Sequence, residues 1–357
     1  MKLVRSLSLF LLMSGCVGGT ASAAGDVGGS SATGTGANSG VFPDAQWTVN
    51  LPDGTRTFAD IDGQEFAVVG VALPAHLSYL DAVGGTSDQQ VTGQLGCLAR
   101  GVSGETAVVI DGELQFRDLT GAIAWSVPAE QPCQLAIGVD RVVLAEAPGV
   151  RVFSSNGQLI NQETANVDIA VLAPSSSSYR RTLDVDGLIG YANLNHVGAL
   201  TLDGKEIFEL DLPDLEVKAV RVHGVELIVA ATASSTTTVC GQTLNVAAGD
   251  TRAVLIAFAT DRHCVWSYEL TGGAASPITA DVFDLAVGGE SLFAVGESSA
   301  GFSWADQQLD AGSFLVELSL SNITPARATN SVVANAIELT TQGHLLTVNG
   351  SAVSLLH

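Results

Sequence analysis

Basic residues are scarce in this chain. Fifteen Lys and Arg stand against 37 Asp and Glu in 357 residues, and only Lys2, Lys205 and Lys218 are lysines. A net charge of −22 leaves no basic patch for a phosphate backbone, which argues against nucleic acid as a partner. It argues equally against electrostatic docking on anionic lipid. The acids are scattered rather than run together, so they form no acidic tail. They read as solubility for a chain that is 46% hydrophobic. Long apolar runs are missing too. The first, Ser6 to Met13, is shorter than the ~20 residues a membrane-spanning helix needs, and no later run compares with it. Helical periodicity over four turns is also missing, which makes the domain nearly all β.

The signatures of chemistry are equally absent. The sequence holds no Gly-x-Ser-x-Gly, no His-Glu-x-x-His and no phosphate-binding Gly-rich loop ending in Lys. The segment His223-Gly224-Val225-Glu226 does not supply a zinc motif. No Cys-x-x-Cys occurs, and His76, His196, His223, His263 and His344 each stand alone, with His357 the last residue. Such histidines read as surface or packing residues. Two Asp-x-Asp-Gly turns, Asp60–Gly63 and Asp184–Gly187, lack the remaining ligands of a calcium loop. They read as hairpin turns. No metal and no cofactor is expected.

What is present begins at the first residues. Met1 to Arg5 is a short basic head, the apolar run follows, and Ser14-Gly15-Cys16 comes next. This combination resembles the lipobox of bacterial lipoproteins, with Met13 where leucine is usual. The resemblance covers the first 16 residues. It implies a signal peptide over 1–15 and acylation of Cys16, with more than one chain giving stable anchoring. Val17 stands where an inner-membrane retention signal places Asp, so the resemblance points to the outer membrane or cell surface. Cleavage after Ala21-Ser22-Ala23, giving simple secretion, is the alternative. Residues 16–41 then read as a tether, because Gly, Ser, Ala and Thr cannot bury enough surface to order themselves. The folded domain is assigned to residues 42–357. Processing before Cys16 removes Lys2 and Arg5 and no acid, leaving 13 bases against 37 acids.

Four cysteines remain beside Cys16. In an exported chain they suggest two disulfides, with three pairings open. Cys240 and Cys264 lie in segments that read as neighbouring strands of one sheet, which makes them the preferred pair. Cys97 with Cys133 follows by exclusion.

From about residue 42 short runs of Val, Ile, Leu, Ala and Phe alternate with Gly, Asp, Asn and Ser. Ala107–Ile110 before Asp111-Gly112, Val150–Phe153 before Asn156-Gly157, and Ala199–Leu202 before Asp203-Gly204 are hairpin signals. A recurring phrase follows them: Trp125-Ser126-Val127, Phe208-Glu209-Leu210 and Trp266-Ser267-Tyr268, with Gly157–Ile160 a weaker copy. Two later repeats are longer: Gly224–Ala230 matches Gly289–Val295 at an offset of 65. These phrases resemble the repeats of quinoprotein-type and secreted bacterial β-propellers, whose blades have four strands. The resemblance makes residues 42–357 a β-propeller domain. Trp47-Thr48-Val49-Asn50-Leu51 copies the phrase that closes a blade, so the chain start is expected to supply the outer strand of the C-terminal blade. Blade ends then fall near Trp47, Trp125, Ile160, Phe208, Trp266 and Ile323. That counts six, and the stretch from Trp47 to Trp125 is long enough to hold a seventh. The tryptophans read as blade packing rather than a cofactor platform.

Quinone-dependent dehydrogenases use larger propellers with added loops, which this chain lacks. The expectation is a membrane-anchored, non-enzymatic propeller acting as a binding or scaffold module at the envelope, with a protein partner. The propeller lipoprotein of the outer-membrane barrel assembly machinery is similar in plan. Two alternatives stand beside it: an enzyme on the same scaffold acting on glycans or a small metabolite, and a structural adhesion protein of the cell surface.

Overall fold

The computed structural model describes residues 42–357 apart from 43–44, 51–56, 62–66, 72–75, 82–83, 91–92, 165–182, 275–276, 341–342 and 350–351, and the single residues 102, 148, 273 and 357. The described residues form strands and no helix. They build seven four-stranded antiparallel sheets. Blade 1 comprises β2 (Thr57–Ile61), β3 (Ala67–Val71), β4 (His76–Leu80) and β5 (Thr86–Gln90). Blade 2 comprises β6 (Leu95–Arg100), β7 (Thr106–Ile110), β8 (Glu113–Arg117) and β9 (Ile123–Pro128). Blade 3 comprises β10 (Cys133–Ile137), β11 (Arg141–Glu146), β12 (Gly149–Ser154) and β13 (Leu159–Glu163). Blade 4 comprises β14 (Leu183–Val185), β15 (Ile189–Asn193), β16 (His196–Leu200) and β17 (Glu206–Asp211).

Blades 5 and 6 each carry an insertion. Blade 5 is β18 (Leu215–His223), β19 (Glu226–Ala233), β22 (Arg252–Ala259) and β23 (Cys264–Glu269), with the hairpin β20 (Thr237–Val239) and β21 (Gln242–Leu244) between its second and third strands. Blade 6 is β24 (Ala280–Gly288), β25 (Ser291–Ser298), β28 (Gly312–Ser319) and β29 (Thr324–Thr329), with the hairpin β26 (Phe302–Trp304) and β27 (Gln307–Leu309) at the same place. Blade 7 takes β30 (Ala336–Leu339), β31 (Leu345–Asn349) and β32 (Ala352–Leu356) from the end of the chain and β1 (Ala45–Asn50) from its start. The first strands of successive blades adjoin one another, and β2 returns to β30, so the seven blades close into a ring.

Closure follows the expectation drawn from Trp47. β1 pairs antiparallel with β32, Trp47 opposite Leu355 and Val49 opposite Val353. Trp47 and Val49 pack on Leu346, Val353 and Leu355, and the Thr48 and Ser354 hydroxyls share a hydrogen bond of 2.8 Å. All six expected blade ends fall within or beside an outer strand. The seventh blade is the β2–β5 sheet, inside the stretch between Trp47 and Trp125.

Blades diverge from the ring axis, so each gap between neighbours widens outward and must be filled. The recurring Trp phrase fills it. The turn between the third and fourth strands of a blade carries a glycine at positive φ, as at Gly84 (80°), Gly121, Gly157 (85°) and Gly204. A hydrogen bond from the glycine N–H back across the turn holds each one. At Gly84, Gly157 and Gly204 the outer strand of the preceding blade lays a side chain on the glycine. A Cβ on Gly157 would lie 2.8 Å from the Trp125 ring, and one on Gly84 would lie 2.9 Å from Trp47. The Trp125 indole N–H donates to the Ser155 carbonyl at 2.8 Å, while the ring stacks on Phe116 and tilts against Phe153. At the next gap Asn161 takes this place, its amide donating to the Gly204 carbonyl at 2.9 Å.

Where the repeats lengthen, the inserted hairpins do the filling. Val239 and Leu244 join the cluster of Phe208, Leu212 and Phe258 between blades 4 and 5. Trp304 is fully buried between blades 5 and 6, edge-on to Tyr268, with its indole N–H donating to the Glu317 carbonyl at 3.1 Å. The insertions are therefore wedges, and they explain the offset of 65 between the long repeats.

A contrast between two glycines tests this packing. Gly157→Ala adds both a left-handed alanine and a clash with Trp125, so it is expected to cost about 2–4 kcal/mol. Gly224, at φ 62° with nothing within 4 Å of its added Cβ, bears only the backbone cost of about 1–2 kcal/mol as alanine. Urea unfolding of both variants measures the difference, and equal losses would remove the Trp contact from the account.

Candidate functional site

Charged groups are buried together at Arg252, which lies 3.7 Å from Asp250 and 3.5 Å from Glu269, and across three blades on the first strands of blades 5, 6 and 7. These strands are otherwise apolar, and hydrophobic alternation places them against the ring interior. Arg221 on β18 is 3% exposed. It reaches Asp284 on β24 at 3.2 Å and Glu338 on β30 at 3.6 Å. It also donates to the carbonyls of Val220 and Ile337. Asp284 has no exposed surface; it accepts the N–H groups of Leu285 at 2.8 Å and Ile337 at 3.0 Å. Further along the same strands, Lys218 pairs with Glu216 at 3.1 Å and Asp281 at 3.2 Å, and Asp281 accepts the Thr232 hydroxyl.

Three blades are thus joined by one guanidinium and one carboxylate. Removing a charge from water costs several kcal/mol, and that cost is offset only when partners and hydrogen bonds surround it. Here they do. The Asp284 carboxylate has an arginine and two backbone donors, which suits a structural joint.

Other gaps of the inner ring use different joints. The Asp184–Gly187 turn between β14 and β15 sends two carboxylates to blade 5: Asp184 accepts the Val222 N–H at 2.7 Å and Asp186 the Gly224 N–H at 3.2 Å. The turn reading therefore holds there, and the acids serve the neighbouring blade. The Asp60–Gly63 turn lies partly outside the described residues. Between blades 2 and 3 the joint is covalent. Cys97 on β6 is bonded to Cys133 on β10, Cα atoms 5.8 Å apart and both residues buried.

The second disulfide joins Cys240 and Cys264, Cα atoms 5.3 Å apart. Both expected pairs are present, but the strand placement of this one needs correction. Cys240 is not on a neighbouring strand of the blade. It sits at the tip of the inserted hairpin with φ 53°, and Cys264 opens the outer strand β23. The bond staples the wedge between blades 4 and 5. Cys16 lies outside the described residues.

No three His, Cys, Asp or Glu come together in metal-holding geometry among the described residues. His196 contacts Asp211 and His263 contacts Asp261, each as a single pair. Hydrogen bonds from His263 hold the Asp261 carboxyl below the usual carboxylate range. Tyr191 lies across Gly198, beside Glu209, Glu206 and Glu163. Burial first, and then those acids, push its phenol well above the ordinary value, so it stays protonated at physiological pH. The Arg221–Asp284 joint has no signature in the sequence beyond charges placed mid-strand in apolar runs.

Two outcomes follow from this geometry. Asp284→Ala leaves Arg221 with the more distant Glu338 as its remaining carboxylate and strips the Ile337 N–H of its acceptor. It is expected to cost about 3–5 kcal/mol in denaturant unfolding. Mild reductant is expected to open Cys240–Cys264, which is partly exposed, before buried Cys97–Cys133. Alkylation timed against reduction, with peptide mass analysis, reads the order.

No family model matches this chain, and no curated protein matches it. Solved structures do. A streptogramin B lyase is 13% identical with a TM-score of 0.58, covering 87% of this chain and 97% of its own. The WD40 domain of Pan2 from Neurospora crassa is 10% identical with a TM-score of 0.58, covering 88% and 94%. The WD40 propeller domain of Doa1 is 11% identical with a TM-score of 0.53, covering 88% and 97%. At such identities the likeness is one of fold, and the fold is a β-propeller.

Proposed function

We propose that this protein is a lipid-anchored propeller of the cell envelope that binds a protein partner through a propeller face and carries out no chemistry of its own. One observation carries the reading: of five cysteines, four close two disulfides and the fifth is Cys16. Paired cysteines belong to an oxidising compartment. The fifth stands in a sequence that resembles a lipobox. Acylation gives that cysteine a use, and the basic head with its apolar run gives the chain a route out of the cytoplasm.

The binding role is supported by how the fold spends its charged groups. The buried acids and arginines of the inner ring are held by one another and by backbone groups. The insertions that lengthen blades 5 and 6 serve as wedges. What is left for function is the surface of turns at the two ends of the ring, a surface suited to another protein.

The test is the intact mass of the protein extracted from membranes, before and after reduction. Cleavage before Cys16 with added acyl chains, and a mass gain of four hydrogens on reduction of the two disulfides, is the expected result. Cys16→Ala is then expected to move the protein from the membrane to the soluble fraction. An unacylated chain beginning near Ala24 would overturn the anchor and leave a freely secreted propeller.

A further inference from the structure

Every blade has its turns at two ends of the ring. The turns between first and second strands and between third and fourth strands share one end; the remaining connections share the other. β1 is the fourth strand of blade 7, so its first residue, Ala45, stands at the first of these ends, opposite Leu356. Ala45 and Phe42, the described residues nearest Cys16 in the chain, both lie at this end. Phe42 is buried against Phe293, Leu345 and Leu356, and the Arg327 guanidinium lies 4.8 Å above its ring.

The exposed large apolar side chains divide unequally between the two ends. Leu119 on the last turn of blade 2 is 71% exposed, Val139 on the first turn of blade 3 is 88% exposed, and Val225 on the first turn of blade 5 is 65% exposed. All three crown turns at the end where Ala45 lies. Ile123, Leu159 and Val265 are exposed at or next to the start of outer strands, at the same end. Among the described residues the opposite end shows two, Leu194 and Val333. Turn tips are normally polar, so apolar tips on three blades at one end call for a surface that covers them.

We propose that this end rests on the lipid surface to which Cys16 is anchored, with Leu119, Val139 and Val225 dipping into the headgroup boundary. The inference rests on the anchored reading above. The occupant follows from where Phe42 and Ala45 lie: an acylated Cys16 brings the bilayer to this end, and a tethered surface needs only weak intrinsic adhesion to stay docked. The adhesion is apolar. Asp118 and Asp140 flank two of the tips, so they hold the contact at the headgroup level and oppose anionic lipid. Zwitterionic lipid is the expected substrate of the contact. The other end of the ring, with Leu194, the turn Asp111-Gly112 and the entry to both hairpins, then faces away from the membrane and is open to partners.

The experiment uses the full mature chain on zwitterionic phosphatidylcholine vesicles. An environment-sensitive dye is placed by Leu119→Cys, by Val225→Cys or, at the far end, by Leu194→Cys, and lipids brominated near the headgroup quench it. The expected result is clearly stronger quenching at positions 119 and 225 than at 194. Equal quenching at the three positions overturns the proposal. A second anchor separates this outcome from that of acylation: protein made without its signal peptide is coupled through the Cys16 thiol to a maleimide-bearing lipid. Face preference with that anchor upholds the docking even if the cellular protein proves unacylated. Loss of preference with either anchor sinks the docking and leaves acylation standing. L119S/V139S/V225S, whose changes lie on exposed turns, is expected to keep the fold by circular dichroism, and V139S/V225S with the dye at position 119 is expected to abolish the difference in quenching. A dimer in sedimentation that this triple variant dissolves would overturn the proposal and assign the apolar tips to a second copy instead.

Discussion

The widening gap between neighbouring blades is the constraint on which this structure depends. A four-stranded sheet with both faces apolar cannot stand alone, and a ring of such sheets leaves wedges that grow with distance from the axis. Among the described residues, five of these wedges have a filling with its own chemistry. Trp47 on Gly84 and Trp125 on Gly157 use a flat ring against a bare backbone. Asn161 does the same with an amide and a hydrogen bond. Hairpins carrying Val239 and Trp304 do it with a second layer of backbone. The glycine is needed twice over, for its positive φ and for the absence of a Cβ where the ring must lie.

At the inner radius the problem is reversed. First strands crowd together, and what is needed is register between them rather than volume. Cys97–Cys133, the Asp184 carboxylate on the Val222 N–H, and Arg221 between Asp284 and Glu338 each fix one blade against the next. A loop of this span makes a disulfide worth about 3–4 kcal/mol through the unfolded chain. The charged joint supplies direction instead of net strength, because its desolvation cost consumes most of its attraction. The ring is thus stiffened by unlike devices placed at one radius.

The outward contacts are legible in the sequence because they repeat. Trp125-Ser126-Val127 and its copies mark outer strands since each meets the same glycine turn, and the copy at Trp47 is enough to show that the chain start closes the ring. Blade 1 is the least visible because its outer strand, Thr86–Gln90, is polar and carries no such phrase. Cys240 escapes a correct placement for a related reason: residues 234–251 are polar and turn-rich, so the hairpin they form has no apolar pattern of its own. Arg221 and Asp284 are 63 residues apart in the chain, and nothing local ties them. The joints of the inner ring are products of topology, and a single sequence does not display them.

Topology also decides how such a protein meets its surroundings. A strand that closes the ring from the N-terminal side must run antiparallel to the last strand of the chain. It must therefore begin at the end of the ring where that last strand finishes, as Ala45 does opposite Leu356. Had the C-terminus supplied the closing strand, the first strand of the chain would have started at the other end, and an N-terminal tether would have left from there. The choice of closure is thus a choice of the end at which the first strand of the chain begins. The closing strand also carries stability, through the packing of Trp47 and Val49.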